Sequence, residues 1–269
     1  MIPKIIHYCW FGGNELPPLA RKCIKSWKKY CKDYKIIKWD ESNFDISSAP
    51  LYVRQAYDAK KWAFVSDYVR LWAMVNYGGI YMDTDVEVVK KLNPFLKHKA
   101  FSGFESDTNI PTGIMACEKK FPMFEKFLKY YDDAIFIKSD GTMNTTTNVK
   151  LITDECLKHG LIQNNSFQVV EGFALYPNEF FCPINLDSDS FDRTERTTTI
   201  HWFNGSWLPN DLVKKHMEYT AYNEQRNELY LNNQKRAKNK LIKQKIAFFS
   251  KKVLGDRLYR KLRTLFFGL

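Results

Sequence analysis

The 269-residue sequence lacks the spacings that organise disulfide-stapled or zinc-dependent proteins. Its six cysteines, Cys9, Cys23, Cys31, Cys117, Cys156 and Cys182, form no C-x-x-C pair and no zinc-ligand pattern. It has no G-x-G-x-x-G or Walker segment, which excludes the glycine cradles that hold phosphates by backbone alone. No apolar run is long enough to span a bilayer, and Met1-Ile2-Pro3-Lys4-Ile5-Ile6 reads as a first strand rather than a signal peptide. No internal repeat is visible. The expectation is a protein with free thiols in a reducing cytoplasm.

What the chain does have is aromatic mass and an uneven charge. Twenty Phe, fifteen Tyr and seven Trp supply large packing surfaces and argue against disorder. The formal net charge is +11, yet residues 234–269 hold twelve Lys/Arg against one acid, Asp256. Removing these from the totals of 41 and 30 leaves 29 basic and 29 acidic residues upstream, so the tail carries the whole excess. The length suits one large domain or one domain with an appendage.

Apolar spacing predicts strands at Lys4–Tyr8 and Tyr34–Trp39, with a helix over Leu19–Tyr30 between them. A long helix is predicted over Gln55–Tyr77, closed by Gly78-Gly79 as a left-handed cap. Strand–helix–strand–helix–strand favours an α/β sheet, in which ligands sit beyond the carboxyl ends of the strands. Downstream, strands are expected at Phe101–Phe104, Phe167–Val170 and Thr197–Trp202, and helices at Phe121–Asp132 and Val149–His159. Asp140–Asn148 reads as a polar loop.

Asp83-Thr84-Asp85 follows Gly78-Gly79-Ile80-Tyr81-Met82 at such a strand end. Carboxylates one residue apart on a strand point to the same side and can hold a divalent cation against a diphosphate. On the preceding helix, Asp67 and Arg70 share a face. They are either a surface ion pair or, because Trp62, Phe64, Val65, Val69, Leu71 and Trp72 make the helix apolar nearly all round, a buried pair that needs a polar cavity. Trp10, before Gly12-Gly13, is either a core residue or a stacking surface for a base. His201 is either structural or a third ligand to a cation held by Asp83 and Asp85.

Three segments in order carry a family resemblance: Ile2-Pro3-Lys4-Ile5-Ile6-His7-Tyr8-Cys9-Trp10-Phe11-Gly12-Gly13, Ala63-Phe64-Val65-Ser66-Asp67-Tyr68-Val69-Arg70, and Gly78-Gly79-Ile80-Tyr81-Met82-Asp83-Thr84-Asp85. With His201–Trp207 as a closing piece, the chain resembles bacterial members of glycosyltransferase family 32, which includes capsular-polysaccharide sugar transferases. It is distantly similar to the glucosylating domain of the large clostridial toxins. The resemblance implies a GT-A-like (Rossmann-like) nucleotide-sugar-binding fold over residues 1–210, with a C-terminal helical appendage over 211–269. It also implies a retaining hexosyl transfer in surface-polysaccharide synthesis, from a nucleotide-sugar, by preference UDP-linked, with Mn²⁺ or Mg²⁺. The acceptor would be a saccharide or lipid-linked saccharide. On motif position, Asp67, Arg70, Asp83 and Asp85 carry the catalysis. Trp10, Asp67, Arg70, Tyr81, Asp83, Ser206 and Trp207 bind the donor, and Asp83, Asp85 and His201 hold the metal. Asn144-Thr145-Thr146-Thr147-Asn148 stands where the family has a small-residue donor loop, either as sugar contacts or as plain loop. The Asp pair also suits a Mg²⁺-dependent nucleotidyltransferase or phosphohydrolase, and a third reading is a non-catalytic membrane adaptor on the same fold.

The tail places Ile242, Ile246, Phe249 and Val253 on one helical stripe and Leu254, Leu258, Leu262 and Leu265 on another, flanked by Lys and Arg. A basic amphipathic helix suits an anionic membrane surface, at roughly 1 kcal/mol per basic residue. The alternative is a helix packed on the body or on another subunit. No nucleic-acid-binding motif accompanies the charge. The expected location is cytoplasmic, peripheral at the inner face of the membrane. Removing residues 234–269 is expected to abolish co-sedimentation with anionic vesicles; binding equal to that of the full chain would refute the membrane reading.

Overall fold

The computed structural model describes the backbone of residues 1–205 and 210–267 and the side chains of residues 1–205 and 214–245. The amino-terminal half runs β1 (Ile5–Cys9), α1 (Pro18–Tyr30), β2 (Lys35–Trp39), α2 (Leu51–Asp58), α3 (Trp62–Tyr77), β3 (Gly79–Met82) and β4 (Val86–Val88). It continues through β5 (Ala100–Gly103), β6 (Ile114–Cys117), α4 (Pro122–Lys129), α5 (Asn148–Lys158), β7 (Gln168–Val170) and β8 (Phe173–Tyr176). Short elements follow: α6 (Asn178–Phe181), β9 (Ile184–Asn185), β10 (Ser190–Phe191) and β11 (Thr199–His201), then the long helix α7 (Asn210–Phe267).

Seven strands form one sheet in the order β2-β1-β3-β6-β5-β8-β7. β1 is parallel to β2 and β3, β5 is parallel to β8, and β6 and β7 run antiparallel to their neighbours. The carboxyl ends of β2, β1, β3, β5 and β8 therefore share one edge, the edge where an α/β sheet presents its ligand. This is the mixed α/β sheet with a C-terminal helix that the sequence predicts. One apolar cluster joins α2, α3 and α4 to the sheet through Val53, Val65, Leu71 and Phe124. A second gathers Ile6, Trp27, Ile80 and Val86. In that second cluster the Trp27 indole donates to the Val86 carbonyl (2.7 Å) and the Ser26 hydroxyl accepts from the Val88 N–H (2.8 Å), so α1 pins β4 in place. All six cysteines are free and buried. The chain divides into two compact units, Met1–Thr220 and Ala221–Leu269. Among the described residues no helix is long and apolar enough to cross a membrane.

Three expectations need correction. The single helix over Gln55–Tyr77 is two helices, separated at Ala59-Lys60-Lys61 where Lys60 takes φ +56°. A positive φ at a non-glycine residue leaves no composition signal. Gly78 does stop α3, but at φ +65°, ψ −174°, outside the left-handed helical region. Asp83 and Asp85 do not lie on a strand; they belong to the turn between β3 and β4, closed by the Val86 N–H on the Asp83 carbonyl (3.0 Å). The side chains of Ile246, Phe249, Val253, Leu254, Leu258, Leu262 and Leu265, the expected tail stripes, lie outside those described.

A side chain on Gly78 would have its Cβ 2.6 Å from the Lys119 backbone nitrogen, on a φ that L-residues avoid. Gly78→Ala is expected to cost about 1–3 kcal/mol and to lower Tm by roughly 2–4 °C for each kcal/mol. Thermal unfolding measures it; an unchanged Tm would contradict the packing described.

Candidate active site

The site grows from the edge where β1 and β3 end. Trp10 lies one residue beyond β1, half-buried, with its indole donating to the Asn14 carbonyl (2.6 Å). The side chain packs on the second apolar cluster, so part of the role of Trp10 is structural. Tyr81 is fully buried on β3 and its hydroxyl donates to Asp83 Oδ1 (2.9 Å).

Arg70 organises the neighbours. It is 6% exposed, and Asp67 is 8% exposed, so the surface-pair reading of these two residues does not hold. The guanidinium reaches Asp67 Oδ1 (3.3 Å) and Asp83 Oδ1 (3.2 Å), and donates to the Thr112 carbonyl (3.3 Å). It also lies over the Tyr81 ring, 4.7 Å from the centroid. Burial alone would lower the Arg70 pKa, but Asp83, Tyr81 and Asp67 together raise it, which keeps the charge fixed. Burial pushes Asp67 up to about 6, against the pull of Arg70, with Asp83 adding to the rise. The Asp67 carbonyl accepts from Asn148 (2.7 Å), whose own side-chain oxygen accepts from Tyr131 (2.6 Å). Asn148, last of the Asn144–Asn148 loop, is thus tied into the scaffold behind Asp67.

The second half of the site comes from far along the chain. β11 pairs antiparallel with β4, His201 opposite Val86. The Trp202 N–H donates to the Asp85 carbonyl (3.1 Å), and the Asn204 N–H to Asp85 Oδ2 (2.9 Å). His201 Nε2 stands 3.3 Å from Asp85 Oδ1. Burial opposes charge on both groups, yet their mutual attraction wins. Asp85 is held below the usual carboxylate range, and His201 well above that of a free imidazole. Asp83, Asp85 and His201 bring one ligand atom each within 4.8 Å of one another. Among the described residues the buried His201 Nδ1 makes no hydrogen bond of ordinary geometry, and the Cys182 thiol is its polar neighbour. Two carboxylates and an imidazole at this spacing fit Mn²⁺ or Mg²⁺, with the nitrogen better suited to Mn²⁺. Ser206 and Trp207 lie outside the described residues.

The structure adds a segment that sequence reasoning missed. Residues 104–113 bring the Gly113 carbonyl onto the Asp83 N–H (2.8 Å) and the Glu105 carboxyl into the field of His201, Asp187 and Asp83. Burial pushes Glu105 up to about 7; His201 opposes the shift, and Asp187 and Asp83 add to it. Its one sequence signal is an acid directly after the apolar Phe101-Ser102-Gly103-Phe104.

Residues 17–102 match the family described as "Glycosyltransferase sugar-binding region containing DXD motif", a span that includes Asp83 and Asp85. An uncharacterized glycosyltransferase of Acanthamoeba polyphaga mimivirus is 27% identical over 70% of this chain and 76% of its own length. Inositol phosphoceramide mannosyltransferase 3 of Schizosaccharomyces pombe is 34% identical over 45% of this chain, which spans only 35% of that relative. Among solved structures, the PaToxG glycosyltransferase superposes with a TM-score of 0.44 at 19% identity, over 58% of this chain and 69% of its own.

Gly113 packs against the His201 ring: a Cβ there would stand 2.7 Å from Nδ1. Gly113→Ala is expected to displace the imidazole and weaken Mn²⁺ binding by about 10–100-fold, the scale for disturbing a ligand's support. Calorimetric titration with Mn²⁺ reads it; unchanged affinity would remove His201 from the ligand set.

Proposed function

We propose that the protein is a metal-dependent, retaining glycosyltransferase that moves a hexosyl group from a nucleotide-sugar to a saccharide or lipid-linked saccharide. The convergence of Asp83, Asp85 and His201 within 4.8 Å, beside the buried Arg70, carries this reading. A site that concentrates negative charge at one point and a fixed positive charge beside it suits a cation and a diphosphate together.

In this reading Asp83, Asp85 and His201 would hold Mn²⁺ or Mg²⁺, which supplies charge neutralisation to the departing diphosphate. Arg70 faces that diphosphate from the protein side. Asp67, held by Asn148 and paired to Arg70, orients the donor sugar. Trp10, Ser206 and Trp207 complete donor binding, with the half-exposed Trp10 indole beneath the base. The bond from the anomeric carbon to the diphosphate breaks with its electron pair on the diphosphate. The acceptor oxygen bonds to the same face of that carbon, and its proton passes to the diphosphate. Positioning and electrostatics carry the rate, without a strong general base.

Family resemblance favours a UDP-linked donor, whereas the fission-yeast relative is named for mannosyl transfer to inositol phosphoceramide. A GDP-linked mannose donor therefore stands beside UDP-sugars. The basic tail, with twelve Lys/Arg in residues 234–269, would hold the enzyme at an anionic membrane surface where lipid-linked acceptors reside.

UDP- and GDP-sugars are to be screened for Mn²⁺-dependent rise in Tm, since a ligand bound only by the folded state raises apparent stability. The matching donor should yield its nucleoside diphosphate on turnover, and Asp85→Ala should reduce that turnover by at least about 100-fold, in the range for losing a charge-stabilising group. Near-normal turnover in a folded Asp85→Ala protein would sink the metal assignment. Release of monophosphate or pyrophosphate would point to phosphohydrolase or nucleotidyl chemistry.

A further inference from the structure

Glu105 is an acid beside the Asp83–Asp85–His201 cluster to which the proposed function gives no role. β5 runs in the same direction as β1 and β3, so Glu105, two residues past Gly103, emerges at the edge that carries Trp10 and Asp83. Only β6 separates β5 from β3, which sets the two chain ends about 10 Å apart at ordinary strand spacing. Glu105 is not one of the three residues whose ligand atoms cluster within 4.8 Å.

The segment that carries Glu105 is held at both ends. The Glu105 N–H donates to the Asn109 carbonyl (2.9 Å), and the Ile110 N–H donates to the Thr153 hydroxyl (3.0 Å). At the far end Arg70 holds the Thr112 carbonyl and the Asp83 N–H holds that of Gly113. The same guanidinium and the same turn thus fix the donor side and the loop of Glu105 relative to each other. The carboxyl itself is half-buried and has no hydrogen-bond or ion-pair partner among the described residues.

A half-buried carboxyl without donors is costly unless a ligand supplies them. The ligand's charge follows from the neighbourhood. His201 acts on this carboxyl with the opposite sign to Asp187 and Asp83, but that imidazole is already paired with Asp85, and three carboxylates against it disfavour a diphosphate at this spot. A neutral polyhydroxylated molecule brings O–H donors and no charge. We propose that Glu105 is the acceptor-binding carboxylate: it accepts a hydrogen bond from a hydroxyl of the incoming sugar or cyclitol ring and turns the neighbouring hydroxyl toward the anomeric carbon. This rests on the glycosyltransferase reading above and adds which side of the cleft the acceptor enters.

The test compares the full-length protein with Glu105→Gln and Glu105→Asp. Donor binding is read as Mn²⁺-dependent thermal stabilisation by UDP- and GDP-sugars, and transfer is read with a panel of methyl glycosides and free myo-inositol. Glu105→Gln should keep donor binding within twofold and raise the acceptor KM at least tenfold, with a smaller change in kcat; Glu105→Asp should fall between the two. Loss of donor binding matching that of Asp83→Asn, an unchanged acceptor KM, or transfer by the unsubstituted protein to water alone would each overturn the role of Glu105. If the unsubstituted protein binds no nucleotide-sugar, the glycosyltransferase reading itself fails, and that result is separate from any effect of the substitution.

Discussion

A guanidinium removed from water must be surrounded by acceptors, and Arg70 meets that demand with groups drawn from three separate parts of the chain. Asp67 comes from its own helix, Asp83 from the turn after β3, and the Thr112 carbonyl from the segment that leads into β6. Replacing Asp67 or Asp83 would leave the buried guanidinium short of one of its two carboxylates, on the scale of about 3–5 kcal/mol for breaking a buried pair. The apolar face of α3 drives Arg70 inward, and its charge then dictates where the carboxylates stand. Stability and site geometry are therefore one constraint. The motif residues Asp67, Arg70 and Asp83 are neighbours because a buried cation requires them to be.

How much of this was legible in the sequence differs by kind of signal. Local punctuation and periodicity placed β1, α1, β2 and the carboxyl end of α3 within a residue or two. The apolar surroundings of Arg70 pointed correctly to burial. β6 and β8 escaped, because Ile114-Met115-Ala116-Cys117 and Phe173-Ala174-Leu175-Tyr176 are short apolar runs covered on both faces, with no alternation to mark them. The break at Lys60 escaped because neither Gly nor Pro marks it. The reason offered by sequence for Asp83 and Asp85 facing together, strand alternation, was also wrong in cause. A β-turn brings them together, and a turn does so only when something holds Asp85.

That something is the segment around His201, more than a hundred residues downstream. The β4–β11 pairing, the Trp202 and Asn204 N–H bonds and the imidazole all converge on Asp85. No local pattern announces such a partnership, which is why the sequence left His201 open between structural and ligand roles. The structure joins the two roles. The ring packs on Gly113 and pairs with Asp85 as a core residue would, while its position completes a three-group cluster with the Asp pair.

The division of oxygens on Asp83 then explains why one carboxylate can serve both sides of the cleft. Tyr81 and Arg70 both address Oδ1. Those two bonds fix the rotamer, and neither engages Oδ2. Asp85 is arranged differently: Oδ2 takes the Asn204 N–H and Oδ1 faces His201. One aspartate is thereby clamped to a permanent cation and the other to an exchangeable proton. In the proposed function the ion would be held by Asp85 and His201 together with Asp83, while Arg70 keeps its contacts with Asp67 and Asp83 Oδ1. In that proposed function, this division would leave Arg70 and Asp67 fixed to orient a sugar and Asp85 and His201 to hold the ion.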